Sequence, residues 1–239
     1  MEDCVICSRY TSPVDYKFAK STGAPTTLAS ITVIDANTIT VSSATGFIVG
    51  SHIAIAYSAR IYQAQIVSIA SDVFTLDSPL DYAFPSGSIV LPFTYDMNVN
   101  GNTTSQTFVV QSSESGEAKF MITRLLFQIT CDTEPDYVQF GNVATLAKGI
   151  VIRTANGYTK NLFNIKSNED LNLLAYDLSF LDGTKHGTYG VCCRLTFAGE
   201  SKHGTGILIT PGDSIKVIIQ DDLSGLLVFR MIAEGYTII

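Results

Sequence analysis

Between residues 31 and 95 apolar and β-branched residues alternate with polar ones, and turn residues interrupt the run every few positions. Ile31, Val33, Ile39, Val41, Phe47, Val49, Ile53, Ile55, Ile66, Val67, Ile69, Phe74 and Leu76 carry the alternation. The breaks fall at Asp35-Ala36-Asn37, Gly46, Gly50-Ser51, Ser71-Asp72 and Pro85-Ser86-Gly87. A strand points successive side chains to opposite faces, so a period of two marks a half-buried strand. Short strands with an explicit turn after each one predict a small barrel or sandwich. Nothing in the stretch has the residue types or spacing of a catalytic site.

From Lys119 a second pattern starts, with longer strands. Residues 120–129 (FMITRLLFQI) are long enough to cross a sandwich, and 149–153 (GIVIR) form another strand ahead of Asn156-Gly157, a strong hairpin signal. Residues 189–197, 207–209, 214–220 and 226–233 follow, with Pro211-Gly212-Asp213 as a turn. This inventory predicts an antiparallel sandwich of jelly-roll type. Helix is scarce: Asn168-Glu169-Asp170 can cap one or two turns ahead of LNLLAYDLSFL. The fold class expected is therefore all-β. An extended N-terminal arm (1–27) leads into a small β-barrel-like domain (28–95), a linker (96–102) and an antiparallel β-sandwich (103–239). The arm holds sparse anchors, Val5, Ile6, Tyr10, Tyr16 and Phe18, among polar spacers, and is expected to order against a neighbouring subunit.

Charged residues make up only 15% of the chain while 46% is hydrophobic, so much of the surface is Ser, Thr, Asn, Gln and Gly. A net charge of -7 with scattered Lys and Arg argues against nucleic acid as a partner. No apolar stretch reaches the roughly 18 residues of a membrane span. The N-terminus lacks the basic and apolar regions of a signal peptide, so synthesis in a cytoplasm is expected. Five cysteines without such a signal point to free thiols. Cys4-x-x-Cys7 lacks a second ligand pair, and the vicinal Cys192 and Cys193 point to opposite faces of a strand.

Other clusters lack a chemical context as well. Asp132, Glu134 and Asp136, and the pair Asp221 and Asp222, do not follow the calcium-loop spacing. His52, His186 and His203 are far apart, with no nucleophile elbow between them. Residues 199–206 (GESKHGTG) lack the Gly-Lys-Ser/Thr ending of a phosphate loop and run into a strand. No catalytic residue, metal or cofactor is expected. Tyr158, His186, Tyr189 and His203, beside Gly-rich loops, are the candidates for partner or receptor contact.

Several segments together resemble virion proteins of tailed bacteriophages. In the first half these are Asn37–Val41, Gly46–Gly50 and Phe74–Leu80 followed by Gly87. In the second they are Gly149–Arg153, Asn161–Phe163, Arg194–Gly199, Gly212-Asp213 and Gln220–Leu223. The resemblance implies a non-enzymatic structural component, of the tail, baseplate or head–tail interface, located in the virion after assembly in the host cytoplasm. It also implies self-association into a closed ring or trimer and docking to other virion proteins. A receptor- or glycan-binding module displayed on the particle, in contact with a host surface receptor, is the alternative, as is a capsid decoration protein.

Overall fold

A computed structural model of the chain describes residues 10–58, 60–111, 119–154, 161–174, 177–183, 188–196 and 206–238. The protein is almost entirely antiparallel β-structure and divides into two compact units, Lys20–Thr94 and Tyr95–Ile239 together with Met1–Ala19.

Along the chain, β1 (Tyr10–Lys17) belongs to the larger unit. The smaller unit holds β2 (Lys20–Ser21), β3 (Thr26–Thr27), β4 (Thr38–Thr40), β5 (His52–Tyr57), β6 (Arg60–Ala70), β7 (Val73–Leu76) and β8 (Ile89–Thr94). These form one sheet in the order β2-β8-β5-β6-β7-β4, with β3 also on β8. Beyond the strands, the Leu28 segment bonds in both directions. Leu28 N–H donates to Ser88 O and Gly87 N–H to Leu28 O, both at 2.8 Å. On the other side Ala29 N–H donates to Thr40 O (2.9 Å) and Ser42 N–H to Thr27 O (2.8 Å). Backbone hydrogen bonds therefore run from β4 through β7, β6, β5, β8 and the Leu28 segment back to β4.

Alternation fills the interior. Ile53 and Ile55, Tyr62, Ala64 and Ile66, Phe74 and Leu76, and Val90 are buried with Leu28, Ile39, Leu80 and Phe84. The β5–β6 and β6–β7 connections place Ser58 (φ 53°) and Ser71 (φ 54°) in the left-handed region, which matches the twist of a tight hairpin.

Residues 31–34 depart from the expected strand. Thr32 is the buried residue there: Phe84 N–H donates to its hydroxyl oxygen (2.9 Å), and Thr32 N–H donates to Phe84 O (2.9 Å). The polar side chain goes inward because a backbone group waits for it, and Ile31, Val33 and Ile34 are left outside.

The larger unit is a two-sheet sandwich. Its strands after β1 are β9 (Gln106–Gln111), β10 (Lys119–Cys131), β11 (Ile150–Thr154), β12 (Asn161–Ile165), β13 (Asp177–Gly183), β14 (Thr188–Thr196), β15 (Ile207–Ile209), β16 (Ser214–Ile219) and β17 (Val228–Ile238). One sheet runs β1-β17-β10-β14-β13, with β15 also paired to β10; the other runs β12-β11-β16-β9. Phe108, Leu125, Phe127, Ile152, Val217, Phe229 and Met231, drawn from both sheets, meet in one core. Among the described residues a single short helix, α1 (Asn168–Leu174), is capped by Ser167, whose hydroxyl accepts Asp170 N–H (3.4 Å), while the Asp170 carboxylate accepts Lys166 N–H (2.7 Å).

Three boundaries differ from expectation. The described part of the arm pairs within its own chain, where β1 lies along β17 with Tyr10 opposite Ile238 and Tyr16 opposite Ala233. Phe18 is buried in the sandwich core, and β2 and β3 join the smaller unit. A sparse apolar pattern suffices there because the backbone bonds of an existing sheet edge supply the rest. Val5 and Ile6 lie outside the described residues. The expected linker is also packed: Met97 is fully buried, Asn98 Nδ2 donates to Leu226 O and Leu227 O, and Gly101 N–H donates to Asp221 O. Finally, residues 177–183, beyond the one or two helical turns expected and without an expected strand, form β13 beside β14.

Candidate functional site

Of the residues expected to contact a partner, Tyr158, His186 and His203 lie outside the described residues. Tyr189 is half-buried on β14, opposite Cys131 on one side and Asp182 on the other. His52 lies in the smaller unit on β5 with its ring 5.7 Å from that of Phe93.

Asp136, Asp221 and Asp222 of the acidic clusters hold the backbone. Asp221, buried at the end of β16, accepts N–H groups from Ala147 (3.2 Å), Lys148 (3.0 Å) and Gly149 (2.7 Å). Asp136 accepts from Val138 (2.7 Å) and Gln139 (2.8 Å), which shapes the loop after β10. Asn168 fastens that loop to α1 by donating to Asp136 O and Gln139 O. Asp213 accepts Thr210 N–H (3.1 Å) and the Thr210 hydroxyl. Asp222 accepts the Ser224 hydroxyl (2.6 Å) and N–H (2.9 Å) and Asn100 Nδ2 (2.8 Å); the two Ser224 bonds hold its carboxyl below the usual value. Each carboxylate is engaged by donors in its own turn or neighbour, which is what structural acids do.

The described thiols are also interior groups. Cys131 and Cys193 are buried and in no disulfide, and burial, helped by the charge of Asp132, pushes the Cys131 thiol up to about 11. Tyr95 is pushed up to about 12 by burial, and Lys17 Nζ sits 5.4 Å from its ring centroid. Among the described residues no three His, Cys, Asp or Glu side chains are grouped as metal ligands. No helix among them is long and apolar enough to cross a membrane.

The informative surface is apolar. Among the described residues the larger unit exposes only Tyr137, Val138, Leu208 and Leu227 as large apolar side chains; every other one lies in the smaller unit. Part of that surface is an ordered strip on the wall formed by β6, β5 and β8. Ala56 of β5 stands directly between Ile61 of β6 and Ile89 of β8, and in the next row Ala54 stands between Gln63 and Leu91. Directly opposed residues of neighbouring strands share a face, and the buried Ile53, Ile55, Tyr62 and Val90 occupy the other one.

Sequence reading passed over this strip, although a signal was present. In HIAIAY and SIVLPF both alternating sets are apolar, and such continuous runs belong to strands covered on both faces. No family model matches the sequence, and no curated protein matches it.

Proposed function

We propose that the protein is a non-enzymatic building block that works by self-association and docking. The observation that carries this reading is a strip of exposed apolar side chains, Ile61 and Ile89 about Ala54 and Ala56, on strands of the smaller unit whose both faces are apolar. Exposed apolar surface arranged in an ordered patch marks a binding surface. The turns of Asp136 and Asp221 support the same view, since their carboxylates accept backbone N–H groups.

On the sequence resemblance, the assembly is a bacteriophage virion, at the tail, baseplate or head–tail interface, with closed symmetry. The ring of backbone pairings through Leu28 supports a small closed barrel as the docking unit, because closure leaves few strand edges for uncontrolled pairing. A display module that contacts a receptor is the second reading. It is favoured by Tyr137, which is 60% exposed on a loop held firmly by Asp136 and Asn168.

Size-exclusion chromatography with light scattering, at low and molar salt, tests the first reading. An apolar association survives high salt because screening acts on charges. A discrete oligomer unchanged by salt is expected; a monomer at all concentrations, or one produced by salt alone, contradicts it.

A further inference from the structure

We propose that the last pair of the β5–β6 hairpin, with Tyr82 beside it, is a docking site for a carboxylate side chain of a partner protein. Arg60 is the anchor of the site. The inference rests on the docking part of the proposed function and names one contact and its chemistry.

Tyr57 stands directly opposite Arg60, so both side chains leave one face of the hairpin with Cβ atoms roughly 4.5–5.5 Å apart. They continue the rows of the buried Ile55 and Tyr62 beyond the core of the smaller unit. Tyr57 is 52% exposed and Tyr82 43%, and Arg60 is exposed as well. The guanidinium carbon of Arg60 lies 5.4 Å from the centroid of the Tyr82 ring, which is cation–π range.

The ring that Arg60 rests on is fixed. Tyr82 meets the buried Phe84 edge-on, with ring centroids 6.4 Å apart at 89°. Phe84 exchanges two hydrogen bonds with Thr32, through its N–H and its carbonyl. On the other side of Tyr82, Leu80 N–H donates to Ala36 O (2.9 Å), and the Tyr62 hydroxyl holds Ser78 and Pro79. The segment is therefore pinned on both sides of Tyr82, and little ordering is left for a ligand to impose on Arg60.

Arg60 has chemistry to offer. A guanidinium carries five N–H donors in a planar fork, and contact with a ring uses its charge without using those donors as ordinary hydrogen bonds. Among the described residues Arg60 pairs with no carboxylate, Asp81 included, whereas Arg124 pairs with Glu234 at 2.8 Å. The group that fills such a fork is a carboxylate, through two parallel charge-assisted bonds. Tyr57 across the hairpin adds a phenol donor and an apolar ring. A single positive charge between two tyrosines matches an Asp or Glu carried on an apolar protein surface, and Tyr and Arg are the types that dominate protein interfaces energetically.

Nuclear magnetic resonance of the isotope-labelled full chain tests the site, with the Arg60 side-chain N–H as reporter. The probes are the peptide acetyl-Ala-Leu-Glu-Leu-Ala-amide, the same peptide with Gln in place of Glu, and glucuronate. The Glu peptide is expected to shift the Arg60 Nε–H and the Tyr57 and Tyr82 rings saturably, with a Kd on the order of 1 mM. The Gln peptide should bind about tenfold more weakly or less, since it offers no charge to the fork. Arg60→Gln should abolish the shifts, and Arg60→Lys, which keeps the charge without the fork, should weaken binding about threefold or more. Tyr82→Leu should weaken it too, while Arg230→Gln, exposed on β17, should leave it unchanged. Circular dichroism melts check folding, and the exposed Arg60→Lys decides the matter if Tyr82→Leu does not fold. Shifts that are equal for the two peptides, that do not saturate, or that persist in Arg60→Gln overturn the site. Tighter binding of glucuronate than of the Glu peptide overturns the protein partner. The result is separable from self-association. A chain that forms its oligomer yet ignores the Glu peptide loses this site and keeps the building-block reading; a monomer whose Arg60 takes the peptide keeps the site and loses self-association.

Discussion

Removing the Asp221 carboxylate should destabilise the larger unit more than any other single change among its described acids. Its two oxygens accept three consecutive backbone donors at 3.2, 3.0 and 2.7 Å, and its own carbonyl accepts Gly101 N–H at 2.9 Å. The Gly149 bond is buried and the other two are partly buried. In Asp221→Ala the Gly149 donor loses its partner away from water, at about 1.5–3 kcal/mol, and the two others lose roughly 1 kcal/mol each, for a total of about 3–5 kcal/mol. Asp221→Asn keeps one oxygen, which can serve Lys148 and Gly149, but turns an amide donor towards Ala147 N–H. Its expected cost is about 1–2 kcal/mol. Urea unfolding followed by far-ultraviolet circular dichroism measures both, with the slope of the transition unchanged. Hydrogen exchange at residues 147–149 should accelerate locally in the same order. A loss below about 1 kcal/mol for the alanine variant, or equal losses for both, would refute the reasoning.

Three further outcomes can be checked on the same protein. Gly235→Ala should prevent correct pairing of β17 with β10, because a Cβ there overlaps the Met121 carbonyl oxygen; loss of the larger unit's unfolding transition is expected, and a native-like melt contradicts it. Tyr62→Phe should cost the smaller unit about 1 kcal/mol in urea, since the hydroxyl that holds the loop at Ser78 O, Ser78 Oγ and Pro79 O (3.0, 2.8 and 2.8 Å) is lost. The Cys131 thiol, raised from 9.0 to about 11, keeps its proton in the folded state at a pH where the unfolded chain has released it. Stability should therefore hold up to about pH 9 and fall from there towards pH 11. Urea midpoints between pH 8 and 10 should decline less steeply in Cys131→Ala, and identical slopes contradict the assignment.

The strands were readable where alternation and turn chemistry agreed. Lys119–Cys131 and Ser214–Ile219 read clearly because their inward positions are all large and apolar and the turns beside them hold Pro, Gly or Asp. Alternation misled at 31–34, because the bond that draws Thr32 inward comes from Phe84, some fifty residues away, and leaves no local trace. Residues 10–17 looked like a free arm for a related reason: an edge strand is held by backbone bonds to β17, and backbone bonds do not depend on side-chain pattern. β13 was hidden because Asp177–Gly183 follows directly on a capped helix, and apolar residues in a short run suit either structure. The apolar wall was visible in HIAIAY, but knowing which face looks outward required the register of β5 with β6 and β8.

The central claim, that this chain is a structural part of a virion, is tested most directly by quantitative mass spectrometry of density-purified particles from the source culture. The chain is expected in those particles at a fixed ratio to the main shell protein, unchanged by repeated purification and by molar salt. Recovery only from the soluble fraction, or a ratio that falls with each purification step, contradicts it.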